Sequence, residues 1–111
     1  MTAESSVILG SVSYLSPEQV QRGVADARSD IYSLGIVLFE ILTGQKPYQG
    51  EDPVQVAIKH VNERVPAPST IKPGLTIEMD QLVLSTTDID PDKRPRDAVI
   101  LLEKLRELSE K

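Results

Sequence analysis

Apolar residues are spread unevenly along the chain, and their spacing lays out a series of helices. Between Ile31 and Leu42, nine of twelve positions are apolar: Ile31, Tyr32, Leu34, Ile36, Val37, Leu38, Phe39, Ile41 and Leu42. They fall on every side of a helical wheel, and a helix that is apolar all round is expected to be buried all round. The β-branched and aromatic content makes a buried strand the competing reading. About twelve residues is long for a strand, however, and Gly44 followed by Pro47 supplies a helix stop. The pattern therefore predicts a central helix that begins near Ser29 and Asp30 and ends at Thr43.

Four weaker patterns flank it. Ser16, Pro17 and Gln19 give the cap, first-position proline and capping-box residue of a short helix over Pro17 to Arg22, which Gly23 stops. Asp52 and Pro53 repeat that start, after which Val54, Ala57, Ile58 and Val61 share one face, as in an amphipathic surface helix. Val65 to Leu75 carries Pro66, Pro68, Pro73 and Gly74 and reads as an extended connector. Thr76 caps a helix to about Thr86, with Met79, Leu82 and Val83 inward and Glu78 well placed against the helix dipole. Asp97 caps a last helix whose stripe is Ala98, Leu101, Leu102, Leu105 and Leu108. With no convincing strand and no internal repeat, the expected fold is all-α, about five helices around a buried central one.

Composition narrows the function classes. A chain of 111 residues is one small domain at most, and one Phe with no Trp makes its core thin. The net charge of -5 has the wrong sign for neutralising phosphates, so no nucleic-acid partner is expected. The absence of cysteine removes disulfide scaffolds, thiolate zinc sites and cysteine nucleophiles, and agrees with a reducing compartment. Met1 to Ser6 is polar and does not read as a signal peptide, and no apolar run reaches the ~20 residues needed to span a bilayer. A cytoplasmic location with no membrane contact from these residues is expected, an anchor elsewhere staying open.

Two candidate sites dissolve on inspection. Asp88-x-Asp90-x-Asp92 opens like a calcium loop, but Lys93 stands where the turn glycine belongs and Val99 where the bidentate glutamate belongs, so no metal site is expected. His60, the single histidine, has no second ligand at helical spacing and is expected to be solvated or capping.

Gly10-Ser11-Val12-Ser13-Tyr14-Leu15-Ser16-Pro17-Glu18 resembles the end of the activation segment of a eukaryotic-like Ser/Thr protein kinase, closing on its Ala-Pro-Glu signature. Asp30-Ile31-Tyr32-Ser33-Leu34-Gly35, the apolar run after it and Thr43 to Tyr48 are similar to that family's F helix and exit turn. Asp90-Pro91-Asp92-Lys93-Arg94-Pro95 resembles the loop before its last helix. The order and spacing of the three, over residues 4 to 111, carry the resemblance, which is to the bacterial, receptor-type branch.

The resemblance implies the lower part of the kinase C-terminal lobe, with residues 1–111 a partial kinase domain and Met1 falling inside the activation loop. The Gly-rich loop, strand lysine, His-Arg-Asp loop and Asp-Phe-Gly metal site are not among these residues. It thus implies no catalytic residue and no cofactor in this chain, with ATP and Mg in the intact kinase. The implied partners are the remainder of the kinase domain and protein substrates. The alternative is a non-catalytic helical protein-interaction module or a truncated remnant.

Residue roles follow from the same resemblance. Gly10, Ser11 and Tyr14 correspond to substrate-binding positions: Ser11 to the small hydroxyl residue bonded to the catalytic aspartate, Tyr14 to the wall of the pocket after the phosphoacceptor. Thr2, Ser5 and Ser6 correspond to activation-loop phosphosites, with Ser5 at the favoured offset of six residues before Ser11. Glu18 and Arg94 match residues that form a buried ion pair in the family. Asp30 matches the carboxylate that accepts hydrogen bonds from the catalytic-loop backbone. Gly35 is singled out on physical grounds too, since glycine inside a helix costs ~1 kcal/mol relative to alanine and so marks a close approach by another segment.

Overall fold

The longest apolar run folds as the predicted helix. It spans Ala27–Thr43 and starts earlier than the sequence suggested. The reason is the cap. The Asp26 carboxylate accepts the backbone N–H groups of Arg28 and Ser29, and the Ser29 hydroxyl accepts the N–H of Asp26 in return. That reciprocal box satisfies donors that a start at Ser29 would leave orphaned. At the other end Gly44 takes φ 79°, a left-handed conformation that closes the helix.

The computed structural model describes residues 12–50 and 52–109. In chain order the helices are α1 (Pro17–Arg22), α2 (Ala27–Thr43), α3 (Pro53–Asn62), α4 (Ile77–Thr86) and α5 (Ala98–Ser109). Short 3-10 turns occupy Val12–Tyr14, Pro68–Thr70 and Pro91–Lys93, and the described residues contain no strand. The fold is all-α, as expected. The Pro68–Thr70 turn corrects the reading of Val65 to Leu75 as merely extended.

Caps fix the remaining boundaries. The Ser16 hydroxyl accepts Gln19 N–H at 3.3 Å while Gln19 Oε1 accepts Ser16 N–H at 2.9 Å. Thr76 Oγ1 accepts Met79 N–H at 3.2 Å, and Asp97 Oδ1 accepts Ile100 N–H at 3.1 Å. Each bond supplies a partner to a first-turn donor that the helix itself cannot satisfy.

Helix α2 lies at the centre, with α4 and the Val12–Tyr14 and Pro68–Thr70 turns against it; α1 packs on α3, and α5 on α4. Tyr32, Ile36 and Phe39 of α2 form one core with Val12, Tyr48, Val56, Val65 and Val83. Ile31 forms a second with Leu82 and Leu101. Gly35 lets α4 come close: a methyl there would lie 2.7 Å from Thr87 Cγ2 and 2.9 Å from Thr86 Cβ, and closer still to Thr86 Oγ1.

Three expectations about faces need correcting. Helix α2 is not buried all round: Leu34, Val37 and Ile41 are 45%, 39% and 73% exposed. Helix α5 flanks this stripe and leaves an apolar groove of about 300 Å³ lined by Leu34, Val37, Ile41, Leu101 and Leu102. In α3 the inward pair is Val56 and His60, with Val54 and Ile58 turned to solvent. In α5 Leu101 is buried and Leu105 and Leu108 half-buried, but Ala98 and Leu102 are exposed, because only one edge of that helix meets α4 and α2.

Candidate functional site

Two residues 76 positions apart meet at the start of α1. Glu18 sits in the first turn of α1, and Arg94 follows the Pro91–Lys93 turn; both are buried. Arg94 Nη1 donates to Glu18 Oε2 at 2.7 Å and Nη2 to Oε1 at 3.0 Å, a bidentate pair. The rest of the guanidinium is satisfied by carbonyls: Nε donates to Asp88 O at 2.7 Å and Nη1 to Arg28 O at 2.9 Å. The Ser29 hydroxyl donates to Glu18 Oε2 at 2.8 Å. Burial by itself pushes the Glu18 carboxyl up, but the bonds from Arg94, the backbone and Ser29 outweigh it and hold the pKa below the usual carboxylate range. The pair ties the Pro17-Glu18 corner to the loop ahead of α5.

The polar contacts continue inward. The Arg94 guanidinium lies over the Tyr32 ring, 5.0 Å from its centroid. The Tyr32 hydroxyl shares a 2.7 Å hydrogen bond with His60 Nδ1, and the rings of Tyr32 and Tyr48 meet the imidazole edge-on. Tyr48 also donates its hydroxyl to Glu63 O at 2.9 Å. Burial raises the pKa of both tyrosines and pushes His60 down to about 4. His60 is therefore neither solvated nor a cap: it is wholly buried between α3 and α2. Its i, i+4 spacing from Val56 is matched by that of Val54 and Ile58, so no local pattern singled it out.

Tyr14 stands at the end of the Val12–Tyr14 turn, half-buried. Its hydroxyl donates to Glu40 Oε1 at 2.6 Å, which raises the tyrosine pKa, with burial adding to the effect. Lys46 Nζ lies 5.4 Å from its ring centroid, and the Ser33 hydroxyl donates to the Tyr14 carbonyl at 2.6 Å. Through Glu40 and Ser33, both on α2, the turn is fastened to the central helix. Sequence reasoning missed these two residues, whose partners lie 19 and 26 positions away.

The other predicted positions are scattered. Asp30 is exposed in the first turn of α2, and Gly35 lies under Thr86 and Thr87. Gly10, Ser11, Thr2, Ser5 and Ser6 lie outside the described residues.

The acidic run at Asp88 to Asp92 is engaged in its own turn. Asp88 Oδ1 accepts Asp90 N–H at 3.0 Å, and Asp90 Oδ1 accepts Asp92 N–H at 2.9 Å. Asp88 also pairs with Arg64 at 3.1 Å, and Asp92 pairs with Arg28. Among the described residues no cluster of three or more His, Cys, Asp or Glu side chains could hold a metal. The Asp88, Asp90 and Asp92 carboxylates are thus committed to backbone N–H groups and to Arg28 and Arg64. No helix among the described residues is long and apolar enough to cross a membrane.

The family model for protein tyrosine and serine/threonine kinases matches residues 3–105. A probable serine/threonine-protein kinase of Streptomyces coelicolor is 45% identical over 95 residues, covering 86% of this chain and 14% of that protein. The serine/threonine-protein kinase PknB of Mycobacterium tuberculosis is 44% identical over 91 residues, 82% of this chain and 14% of PknB. The serine/threonine-protein kinase PrkC of Bacillus subtilis is 46% identical over 87 residues, 78% of this chain and 13% of PrkC. The chain thus spans about one-seventh of the length of the curated relatives it matches. With nearly its whole length matched, and with bacterial serine/threonine kinases as relatives, the chain belongs to the protein tyrosine and serine/threonine kinase family.

Proposed function

We propose that residues 1–111 are a partial kinase domain, the substrate-docking lower part of the C-terminal lobe of an ATP-dependent Ser/Thr protein kinase, inactive alone. The observation that carries the reading is the buried Glu18–Arg94 pair, which anchors α1 and the turn leading into it on the helical body. Phosphoryl transfer depends mainly on positioning and charge stabilisation, so a docking turn that holds its place is a direct contribution to it.

In this scheme Tyr14, held by Glu40, forms one wall for the residue after the phosphoacceptor. Gly10 and Ser11 precede it and take the substrate hydroxyl toward the catalytic aspartate of the remaining domain. Thr2, Ser5 and Ser6 are the phosphosite candidates, since phosphate there can order the segment against arginines. Asp30, exposed at the start of α2, receives the catalytic-loop backbone. ATP and Mg arrive with the remainder of the domain, because the carboxylates here are committed to their own turns and to Arg28 and Arg64. The activity belongs to the cytoplasm, where its nucleotide is, with any membrane anchor outside these residues. Exposed Val54 and Ile58 on α3 favour a second reading, a non-catalytic interaction module.

The test is a graft: this chain replaces the matching segment of PknB of Mycobacterium tuberculosis, and phosphate transfer to a protein substrate is measured. Transfer supports the kinase reading. A graft that folds and binds ATP without transferring phosphate supports the interaction module instead.

A further inference from the structure

Lys46 is a cation placed against the docking turn with no carboxylate of its own. It lies in the loop between α2 and α3, where Gly44, at φ 79°, closes α2 and Pro47 follows. A residue that precedes proline is confined to extended backbone, so Pro47 narrows the conformations open to Lys46. Hydrogen bonds hold the loop around it. Thr43 Oγ1 accepts Gln45 N–H at 3.2 Å, Gln49 Nε2 donates to Lys46 O at 3.2 Å, and the buried Tyr48 donates its hydroxyl to Glu63 O at 2.9 Å. From this backbone the half-buried Lys46 side chain reaches over Tyr14, with Nζ 5.4 Å from the ring centroid.

Tyr14 thus meets opposite charges at two places. Its hydroxyl donates to Glu40 Oε1 at 2.6 Å, so that carboxylate is engaged at the tip of the ring. Lys46 stands over the face, and its ammonium forms no ion pair with Glu40 or with any other carboxylate among the described residues. Arg28, Arg64 and Arg94, by contrast, are each matched by a carboxylate of this chain. A cation over a ring face is held by attraction to the π electrons, which leaves the three ammonium N–H groups for another acceptor. A half-buried ammonium with its donors unspent, against the residue that walls the substrate pocket, is suited to a carboxylate brought by the substrate.

We propose that Lys46 is a specificity-determining residue of the docking turn, selecting protein substrates that carry Asp or Glu at the residue after the phosphoacceptor. The inference rests on reading Tyr14 as a wall for that residue. It adds to that reading the chemistry of the side chain received.

The test is steady-state kinetics of the PknB graft on peptides that differ only at the residue after the phosphoacceptor, which is Glu, Gln or Lys. The glutamate peptide should have a KM about fivefold below that of the glutamine peptide, the upper end for an ion pair partly open to water, with the difference confined to KM. The lysine peptide should be the poorest of the three. Raising the ionic strength to about 1 M, where the Debye length is about 3 Å, should shrink the glutamate advantage to within about twofold. Lys46→Arg should keep the advantage, Lys46→Gln should reduce it to within about twofold, and Lys46→Glu should make the lysine peptide the best of the three.

Equal KM values for the glutamate and glutamine peptides, or a preference for the lysine peptide, as the Glu40 charge alone would give, would overturn the inference. So would Lys46→Gln raising KM for all three peptides by one factor, since that is what a structural prop under Tyr14 would do. Should a variant not fold, the peptide series and its salt dependence in the wild-type graft decide it. A wild-type graft that folds and binds ATP without phosphate transfer overturns the kinase reading, and this inference falls with it. An active graft without the glutamate preference overturns this inference alone.

Discussion

The two sides of α2 carry similar residues and meet different fates. On one side Tyr32, Ile36 and Phe39 are wholly buried, and Tyr32 links Arg94 to His60. On the other, Leu34, Val37 and Ile41 face solvent beside a groove that α5 only partly covers. Among the described residues the buried side packs on Val12, Tyr48, Val56, Val65 and Val83, and through Tyr32 it meets Arg94 and His60. The difference teaches that an apolar pattern reports what a helix touches in its working assembly, whereas local exposure reports what this chain supplies. Under the proposed function the bare side belongs to the remainder of the kinase domain, since a contiguous exposed apolar stripe is what a docking interface requires.

The largest effect should come from the covered side. Glu18→Ala and Arg94→Ala should each cost about 3–5 kcal/mol, because each strands a buried charge, while the double variant loses far less than the sum. Denaturant unfolding of the four proteins measures the cycle. Additive losses would mean that the pair is a surface ornament and that the contrast between the two sides is false.

Acid should weaken the same side by a separate route. His60 is about 4 folded against an ordinary 6.5, and Glu18 is also held low, so the unfolded chain binds more protons as pH falls. Stability should therefore be full above the ordinary histidine range and decline from about pH 6.5 through 4, with His60 contributing roughly 3 kcal/mol to the loss. Glu18 extends the decline below its unfolded value. Unfolding free energies against pH for wild type and His60→Gln should diverge in slope between pH 6.5 and 4; parallel curves would contradict a buried neutral imidazole.

A smaller effect sharpens where α4 meets α2. Gly35→Ala improves helix propensity by ~1 kcal/mol, yet its methyl collides with Thr86 and Thr87. Net destabilisation of about 1–3 kcal/mol is expected from overpacking. A melting temperature at or above wild type would show that the two helices can part at no cost.

Local chemistry made most helix ends legible. Ser16 with Gln19, Thr76, Asp97 and the stops at Gly23 and Gly44 all act where the sequence put them. The start of α2 was misplaced because Ser29 looks like a cap; in fact it is the third helical residue answering Asp26. Facing was harder to read. Val54 with Ile58 and Val56 with His60 are equally spaced pairs in α3, and the choice between them is made by Tyr32 and Tyr48, which no local pattern reveals. Glu18 and Arg94 carry no sequence signal for one another either; only the family resemblance joined them. Tyr14 with Glu40 escaped notice for the same reason, a single contact across 26 positions.

The two sides of α2 are tested together by one substitution, Ile41→Lys, on the bare face. In the isolated chain it should change unfolding free energy by no more than about 0.5 kcal/mol, since Ile41 is 73% exposed. In the PknB graft the same lysine should abolish the phosphate transfer that the unsubstituted graft performs, because it places a charge in the seam with the rest of the domain. Retained transfer by the lysine graft would contradict the account.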